Sequence, residues 1–338
     1  MILSNLIATL LMLSSSGTAA SITIPRDTSF NVNSAVTKIR KLVPEATAAR
    51  VQNLPTVRRL PDMVYSTPYE GRELKATVFR PADDNRHPAV IMVHGGGWSS
   101  GTPSLQFPLA EQLADRGFVA IAVEYRLTPE EKYPAGLYDV KTAVRWVRAN
   151  ADTLGVDPSK IAISGCSAGG QLACLVGMTN GSERHEGKQA KEGEKAKEWG
   201  EYSSRVDAVV DIDGIATFVS DYNIKDSRER YNKNKKYPAN GAWLGGMYEE
   251  AKDNWEEASA ILWADGNAVP VMFINSDLPR YHDGRDELIE KLKGYGIECE
   301  VVEVGSPVHP FWLCDQWLGI TAESAARFLD RVLNGVRN

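Results

Sequence analysis

Short apolar runs rich in β-branched residues recur along the chain, and segments with helical spacing lie between several of them. The clearest runs cover residues 89–93, 118–123 and 271–275, and each predicts a buried strand. Residues 138–150 instead place apolar side chains three and four positions apart, which predicts an amphipathic helix. The other elements predicted from these patterns are strands at residues 62–65, 73–79, 161–163, 206–211 and 300–304 and helices at residues 105–116 and 287–294.

The order of these elements predicts the fold class. The first two strands are expected to pair as an antiparallel hairpin. From residue 89 onward, predicted strands alternate with predicted helices. This alternation is typical of an α/β protein with a mostly parallel central sheet and helices on both faces.

Two polar stretches interrupt the alternation. Residues 181–204 are rich in Lys, Glu and Gly without an apolar period, which predicts a solvated, mobile loop. Residues 217–256 predict a lid-like insertion or a substrate wall, with a solvated loop as the alternative. They contain Trp243 and a basic cluster formed by Lys225, Arg228, Arg230, Lys233, Lys235 and Lys236.

Composition divides the chain into three segments. Residues 1–20 combine a short apolar core, residues 6–13, with small residues up to Ala20, and they predict a secretory signal peptide. A membrane anchor is the alternative, but this core is too short to span a bilayer. Residues 21–60 are polar and contain three prolines, which predicts a linker with a short helix around residues 35–42. Residues 61–338 are expected to form the globular domain, and the protein is expected to be exported to the periplasm or the cell exterior.

Charge and cysteine content exclude several classes of protein. The formal net charge of −6 argues against a general nucleic-acid-binding surface. Four cysteines are too few for a disulfide framework in an exported chain of this length. The sequence leaves open whether Cys299 and Cys314 form a disulfide. Cys166 and Cys174 are expected to be buried. Because no Cys/His cluster has zinc spacing, we expect no metal and no cofactor. No later run approaches membrane-spanning length, so no stable membrane insertion is expected.

The segment from Gly165 to Gly169 carries the first chemical motif. It reads G-x-S-x-G between a predicted strand and a helix-like run, which is the setting of a nucleophile elbow. The glycines leave room for a tight turn that exposes the central side chain. Ser167 is therefore the candidate nucleophile, whereas Cys166 is not presented by such a turn.

A second motif follows the strand at residues 89–93. His94-Gly95-Gly96-Gly97-Trp98 places three glycines where backbone N–H groups can point into a site. Such donors stabilise the oxyanion of acyl transfer. A phosphate-binding turn is the alternative, but neither G-x-x-x-x-G-K-[ST] nor G-x-G-x-x-G is present. We expect the N–H groups of Gly96, Gly97 and Ala168 to form the oxyanion hole and His94 to shape the turn.

The candidate base and acid follow later strands. His309 lies in the loop after the strand at residues 300–304, where a general base is expected, and His282 is its rival. The acid is less well specified. Asp277 and Asp213 rank close together, followed by Asp286, and each has a surface or capping role as its alternative.

In this order, the motifs resemble the α/β-hydrolase family, in particular an esterase branch similar to hormone-sensitive lipase and bacterial carbohydrate esterases. The resemblance runs from about residue 62 to the C-terminus and includes Glu124-Tyr125-Arg126-Leu127, Tyr133-Pro134-Ala135 and Asp157-Pro158. Residues 275–286 and 307–312 are similar to exported esterases linked to plant polysaccharide breakdown. The resemblance implies an α/β-hydrolase fold for residues 61–338. The family pattern puts the acid near Pro279, which cannot serve, so the third member of the triad stays open.

The resemblance also implies a function. We expect a secreted serine carboxylic ester hydrolase that acts through an acyl-enzyme on a small ester or an acetylated plant polysaccharide, pectin or xylan. An amidase or peptidase on the same fold and a non-catalytic binding protein are the alternatives. Trp98, Arg280 and Trp312 are the expected substrate contacts. Arg280 and the basic cluster are candidates for binding carboxylates, with salt bridges as the alternative for Arg280. The sequence predicts no oligomeric state.

Overall fold

The computed structural model describes residues 26–187 and 199–335. The predicted signal peptide, residues 1–20, and residues 188–198 of the charged loop lie outside the described residues. The strands are β1 (Val57–Arg59), β2 (Met63–Tyr69), β3 (Arg72–Pro81), β4 (His87–Val93), β5 (Val119–Val123), β6 (Val156–Cys166), β7 (Ala208–Ile212), β8 (Val271–Asn275) and β9 (Cys299–Glu303). The helices are α1 (Val32–Ile39), α2 (Phe107–Asp115), α3 (Ala135–Ala149), α4 (Ala151–Leu154), α5 (Ala168–Met178), α6 (Asp221–Asn234), α7 (Ala239–Leu244), α8 (Lys252–Glu257), α9 (Arg285–Gly294) and α10 (Asp315–Asn334).

The described strands form one nine-stranded sheet in the order β1-β3-β5-β4-β6-β7-β8-β9, with β2 paired to β3 outside this path. Pairing is antiparallel among β1, β2, β3 and β5 and parallel from β5 through β9. The predicted hairpin and the predicted mostly parallel sheet are both confirmed. Strand β8 has the predicted bounds. The other predicted elements start or end within a few residues of their predicted bounds.

The side chains of each central strand alternate between two apolar cores. Ile91 and Val93 of β4 pack into one core with Val144 of α3 and with α5, whereas Met92 packs into the other with Leu113 of α2 and with α10. This division follows from the two-residue period of a strand. Each fully buried aliphatic side chain contributes about 1.5–3 kcal/mol. Burial on both faces explains why these strands read as continuous apolar runs.

The N-terminal segment is not a linker over residues 26–60. Val36 and Ile39 of α1 are buried in the core that also contains α10. The backbone continues this contact, because Ala49 N–H donates to the Leu313 carbonyl at 2.9 Å. The segment ends in β1, which pairs with β3. The linker prediction is wrong here because it was based on the polar composition of the segment, whereas α1 carries a short apolar stripe.

The insertion at residues 217–256 folds into the three helices α6, α7 and α8. Trp243 at the end of α7 is fully buried, and its carbonyl accepts a hydrogen bond from Tyr133 N–H at 2.9 Å. The solvated-loop alternative therefore does not describe this segment. The insertion covers the edge of the sheet where the parallel strands end.

The cysteines are all free. Cys299 begins β9, whereas Cys314 follows the loop that leaves the opposite end of that strand. Five strand residues rise by about 3.3 Å each, and a disulfide needs its Cα atoms within about 7 Å. The bridge left open by the sequence is therefore not formed. None of the helices in the described ranges combines the length and apolarity needed to cross a bilayer.

Candidate active site

Ser167 stands on a strained turn between β6 and α5. Its backbone has φ 55° and ψ −121°, a conformation that costs a non-glycine residue about 1–3 kcal/mol. The turn is held because Ser167 N–H donates to the Ile212 carbonyl at 2.8 Å. A Cβ at Gly165 would lie 2.0 Å from the Gly169 carbonyl oxygen. Only glycine at position 165 therefore permits the close approach of strand and helix that exposes the Ser167 hydroxyl.

Three side chains from different strand ends form one hydrogen-bonded chain. The Ser167 hydroxyl lies 2.7 Å from His309 Nε2, and His309 Nδ1 lies 2.9 Å from Asp213 Oδ2. These residues follow β6, β9 and β7, whose carboxyl ends meet at one edge of the sheet. Because the carboxylate accepts from Nδ1, Nε2 is free to accept the hydroxyl proton. This is the arrangement of a serine nucleophile, a general base and an orienting acid.

Asp213 is the only one of the three candidate acids that contacts the imidazole. Its other oxygen, Oδ1, accepts from Ser276 N–H at 2.8 Å, so the buried carboxylate is held from two sides. Asp277 is exposed, and its backbone N–H donates to the Ser306 carbonyl at 2.8 Å. Asp286 pairs with Arg285 at 2.8 Å. These contacts correct the predictions for Asp277 and Asp286, since the carboxylate that bonds His309 Nδ1 is that of Asp213.

His282, the rival candidate for the general base, is also not part of this hydrogen-bonded series of side chains. His282 Nε2 lies 2.8 Å from the Ser276 carbonyl oxygen and serves to shape the loop after β8. Burial lowers the pKa of His309, an effect that Asp213 opposes and the nearby Arg280 guanidinium reinforces. The imidazole is therefore neutral near pH 7 and ready to accept a proton.

Two aromatic rings fix the plane of the imidazole. Tyr281 stacks on His309 with ring centroids 3.5 Å apart and an interplanar angle of 7°. Trp312 meets the same ring edge-on at 5.0 Å and is only 3% exposed. Trp312 therefore packs against the base and does not line the cavity, which corrects its prediction as a substrate contact. The role of Tyr281 was not predicted, because nothing in its local sequence distinguishes it from other loop aromatics.

The glycine loop presents unpaired donors beside Ser167. No described residue accepts a hydrogen bond from the backbone N–H of Gly96, Gly97 or Ala168, and all three line the same cavity as Ser167. Gly96 has φ +125°, and a Cβ there would lie 2.0 Å from the Ser100 carbonyl oxygen. The loop conformation thus depends on glycine at this position. These donors are placed as an oxyanion hole requires.

The cavity over Ser167 has a volume of about 460 Å³. Its walls come from α1, the glycine loop, the insertion and the loop after β8, and its cationic side chains are Lys38, Arg230 and Arg280. Trp98 contributes to the lining, but it is 8% exposed and stacks on Trp243 at 4.8 Å. Trp98 is therefore part of the rigid wall. Lys38 was missed by the sequence prediction because it lies in the segment interpreted as a linker.

Within residues 26–187 and 199–335, no group of three or more His, Cys, Asp or Glu side chains is placed to hold a metal ion. A serine–histidine–aspartate chain at the carboxyl edge of this sheet defines an α/β-hydrolase. Within that class, the chain belongs to the family described as BD-FAE, whose model matches residues 77–281, more than half of the chain. The matched range includes Ser167 and Asp213.

Individual relatives are esterases. Esterase LipC of Mycobacterium tuberculosis is 38% identical over 128 residues, which are 38% of this chain and 30% of LipC. Carboxylesterase NlhH of the same species is 46% identical over 90 residues, 26% of this chain and 28% of NlhH. The chain thus matches less than a third of the length of either relative. The esterase Est2 of the Planctomycetes species Thermogutta terrifontis, solved with butyrate bound, is 28% identical with a TM-score of 0.61, over 82% of this chain and 94% of Est2.

Proposed function

We propose that the protein is a serine-dependent carboxylic ester hydrolase. The observation that carries this proposal is the continuous chain from Ser167 through His309 to Asp213, which faces three unpaired backbone donors. The similarity to esterases over most of the described fold supports it.

Each residue has a defined role in the proposed reaction. The Ser167 oxygen attacks the ester carbonyl while its proton passes to His309 Nε2. Asp213 holds the imidazole in the required tautomer and stabilises the imidazolium. The N–H groups of Gly96, Gly97 and Ala168 donate to the oxyanion, and one such donor is worth about 3 kcal/mol. His309 then protonates the leaving alcohol, and water releases the acid from the acyl-enzyme.

Substitutions along this chain test the mechanism. Ser167→Ala is expected to abolish hydrolysis of p-nitrophenyl acetate. Asp213→Asn is expected to lower kcat on the order of 10³–10⁴-fold, because the amide cannot hold the same tautomer. Asp277→Asn is the matched control, since that side chain is exposed and is not part of the hydrogen-bonded series from Ser167 to Asp213. A large loss of kcat in Asp277→Asn with an active Asp213→Asn would contradict the assignment.

We further propose that the physiological substrate is an O-acetylated acidic plant polysaccharide such as pectin. Lys38, Arg230 and Arg280 come from three separate segments and line one cavity in a protein with a formal net charge of −6. Arg230 pairs with Asp226 at 2.8 Å, whereas neither Lys38 nor Arg280 forms an ion pair with another described residue. Unpaired cations beside the nucleophile favour a substrate that carries carboxylates. The butyrate bound by Est2 agrees with a short acyl group.

Acetate release from acetylated pectin, acetylated xylan and p-nitrophenyl acetate tests this substrate class. We compare kcat/KM for pectin with kcat/KM for p-nitrophenyl acetate as a ratio. Arg280→Gln is expected to lower this ratio about tenfold, because it removes roughly one charge-assisted contact to the substrate. The ratio is informative because any change in the pKa of His309 affects both substrates alike. Arg228→Gln is the matched control, because Arg228 pairs with Glu249 on the same insertion and does not line the cavity. Equal ratios for both variants, or faster release from xylan, would contradict the acidic substrate.

Export is also a proposal, supported by the apolar core and small residues of positions 1–20. N-terminal sequencing of the protein recovered from the medium or the periplasm tests it, with cleavage expected near Ala19 or Ala20. An intact N-terminus on protein retained inside the cell would contradict it.

A further inference from the structure

Arg26 reaches from the N-terminal segment to the glycine loop beside Ser167. Its Nε donates to the Gly101 carbonyl at 2.8 Å, and its Nη1 donates to the Tyr125 carbonyl at 3.3 Å. Its Nη2 lies 2.6 Å from His94 Nε2. These contacts join chain segments that are 68 to 99 residues apart.

The contact with Arg26 determines the tautomer of His94. A guanidinium can only donate, so His94 Nε2 is the unprotonated nitrogen and Nδ1 carries the proton. Nδ1–H then donates to the Gly95 carbonyl oxygen at 2.7 Å. His94 is fully buried and stacks on Tyr125 at 4.7 Å, which holds the ring in place. Burial and the charge of Arg26 lower the pKa of His94 to about 3, so the ring is neutral under working conditions.

The carbonyl that His94 holds belongs to a peptide unit of the oxyanion hole. The Gly95 carbonyl and the Gly96 N–H lie in one plane, so fixing the first fixes the direction of the second. Gly101 leaves room for this contact, because a Cβ there would lie 2.7 Å from the Gly95 oxygen and 3.0 Å from His94 Nδ1. The next peptide is held separately, since Ser100 N–H donates to the Gly96 carbonyl at 3.1 Å.

We propose that Arg26 is a positioning residue for the oxyanion hole, acting through the tautomer of His94 on the Gly95–Gly96 peptide. The inference rests on the proposed ester hydrolysis. Without the guanidinium, His94 is free to carry its proton on Nε2. The lone pair of Nδ1 then faces the Gly95 oxygen, and the peptide turns its N–H away from the substrate. The N-terminal segment is in this way a working part of the active site.

Kinetics of Arg26→Met with p-nitrophenyl acetate test the proposal. Complete loss of one oxyanion donor lowers kcat about 10²–10³-fold. In Arg26→Met the Gly96 N–H is misoriented only part of the time, so kcat is expected to fall less, about 10–100-fold, with little change in KM. Arg40→Met is the matched control, because Arg40 lies on the same segment and donates to the Ala46 carbonyl at 2.8 Å without touching the loop. Its kcat is expected to stay within twofold of the unaltered protein. Equal kcat in both variants, or an effect of Arg26→Met on KM alone, overturns the proposal.

A second readout does not depend on turnover. Long-range ¹H–¹⁵N spectra show which imidazole nitrogen carries the proton, and the His94 signal is identified by its loss in His94→Gln. We expect the Nδ1–H tautomer alone in the unaltered protein and in Arg26→Lys, which keeps a cationic donor, and a mixture that includes the Nε2–H tautomer in Arg26→Met. An Nε2–H tautomer in the unaltered protein, or the Nδ1–H tautomer alone in Arg26→Met, overturns the proposal, even if the protein hydrolyses none of the esters tested. Failure of ester hydrolysis with the expected tautomers counts against the proposed function alone.

Discussion

At the scale of single residues, the carboxyl of Asp211 behaves differently from that of Asp213 two positions later. Asp211 pairs with Gly165 in the register of β6 and β7, so it lies directly beside the elbow. It is fully buried, its Oδ1 accepts from Gly214 N–H at 2.7 Å, and its Oδ2 has no partner among the described residues. Burial raises the pKa of Asp211 to about 8. The folded protein therefore keeps a proton here at neutral pH.

Asp211 makes stability depend on pH. The folded pKa lies above the unfolded value of about 3.9, so between pH 4 and 8 the unfolded chain has lost a proton that the folded chain retains. The free energy of unfolding then falls as the pH rises through this window, by up to about 1.4 kcal/mol per unit. Asp211→Asn removes the titration. We expect urea denaturation to show the variant gaining stability relative to the unaltered protein from pH 5 to pH 8.

Asp277→Asn is the control for this measurement, because it makes the same substitution at an exposed position. It is expected to show no such gain in stability from pH 5 to pH 8. A constant difference for Asp211→Asn as well would show that Asp211 is ionised in the folded protein.

At the scale of elements, an aromatic cluster holds the insertion of α6, α7 and α8 over the cavity. Trp243 stacks on Trp98 at 4.8 Å with an angle of 9° and meets the edge of Tyr133 at 5.2 Å. Asp283 secures the start of α6, because it accepts from the Ser220 hydroxyl at 2.6 Å and from the Asn223 side-chain amide. The insertion is therefore tied both to the oxyanion loop and to the loop after β8.

Trp243→Ala tests how firmly the insertion is held. Truncation of a fully buried tryptophan leaves a cavity and is expected to cost about 3–5 kcal/mol of unfolding free energy. Hydrogen exchange across residues 217–256 is expected to speed up as well. Tyr237→Ala is the matched control, since that ring is 45% exposed on the same insertion. This substitution is expected to cost under about 1 kcal/mol of unfolding free energy. Equal costs for the two variants would contradict the role given to Trp243.

The parts of the site that sequence predicted are those encoded by contiguous residues. The elbow and the glycine loop are local turns whose glycines are required by the contacts of Gly165 and Gly96. The position of His309 follows from strand order alone. The acid is different, because β7 and β8 end side by side at one edge of the sheet and either can supply it. Two long-range hydrogen bonds to the Asp213 carboxylate, from His309 Nδ1 and from Ser276 N–H, settle the choice, and no local pattern reports such bonds.

At the scale of the whole molecule, the N-terminal segment is integrated into the domain. It contributes α1 to one core, β1 to the sheet, Lys38 to the cavity wall and Arg26 to the glycine loop. Glu111 of α2 also holds it, because its carboxylate accepts from the backbone N–H groups of residues 52 and 54 at 2.5 and 3.1 Å. Sequence did not predict this role because only three side chains of α1 are buried.

Truncation tests the integration directly. A chain that begins at residue 56 is expected to lose several kcal/mol of stability relative to one that begins at residue 26, because it exposes the apolar face that α1 covers. Thermal unfolding and p-nitrophenyl acetate hydrolysis measure the two consequences. Similar melting temperatures and similar kcat for both chains would show that the segment is dispensable.

The position of Asp213 at the end of β7 has a consequence for protein engineering. Since the acid comes from β7, residues 277–280 after β8 are not needed to orient the base, although they border the cavity through Arg280. The loop after β8 also carries Tyr281, which stacks on the base. A library that randomises residues 277–280 and keeps Tyr281 therefore varies the cavity wall while it leaves in place the side chains that contact the imidazole.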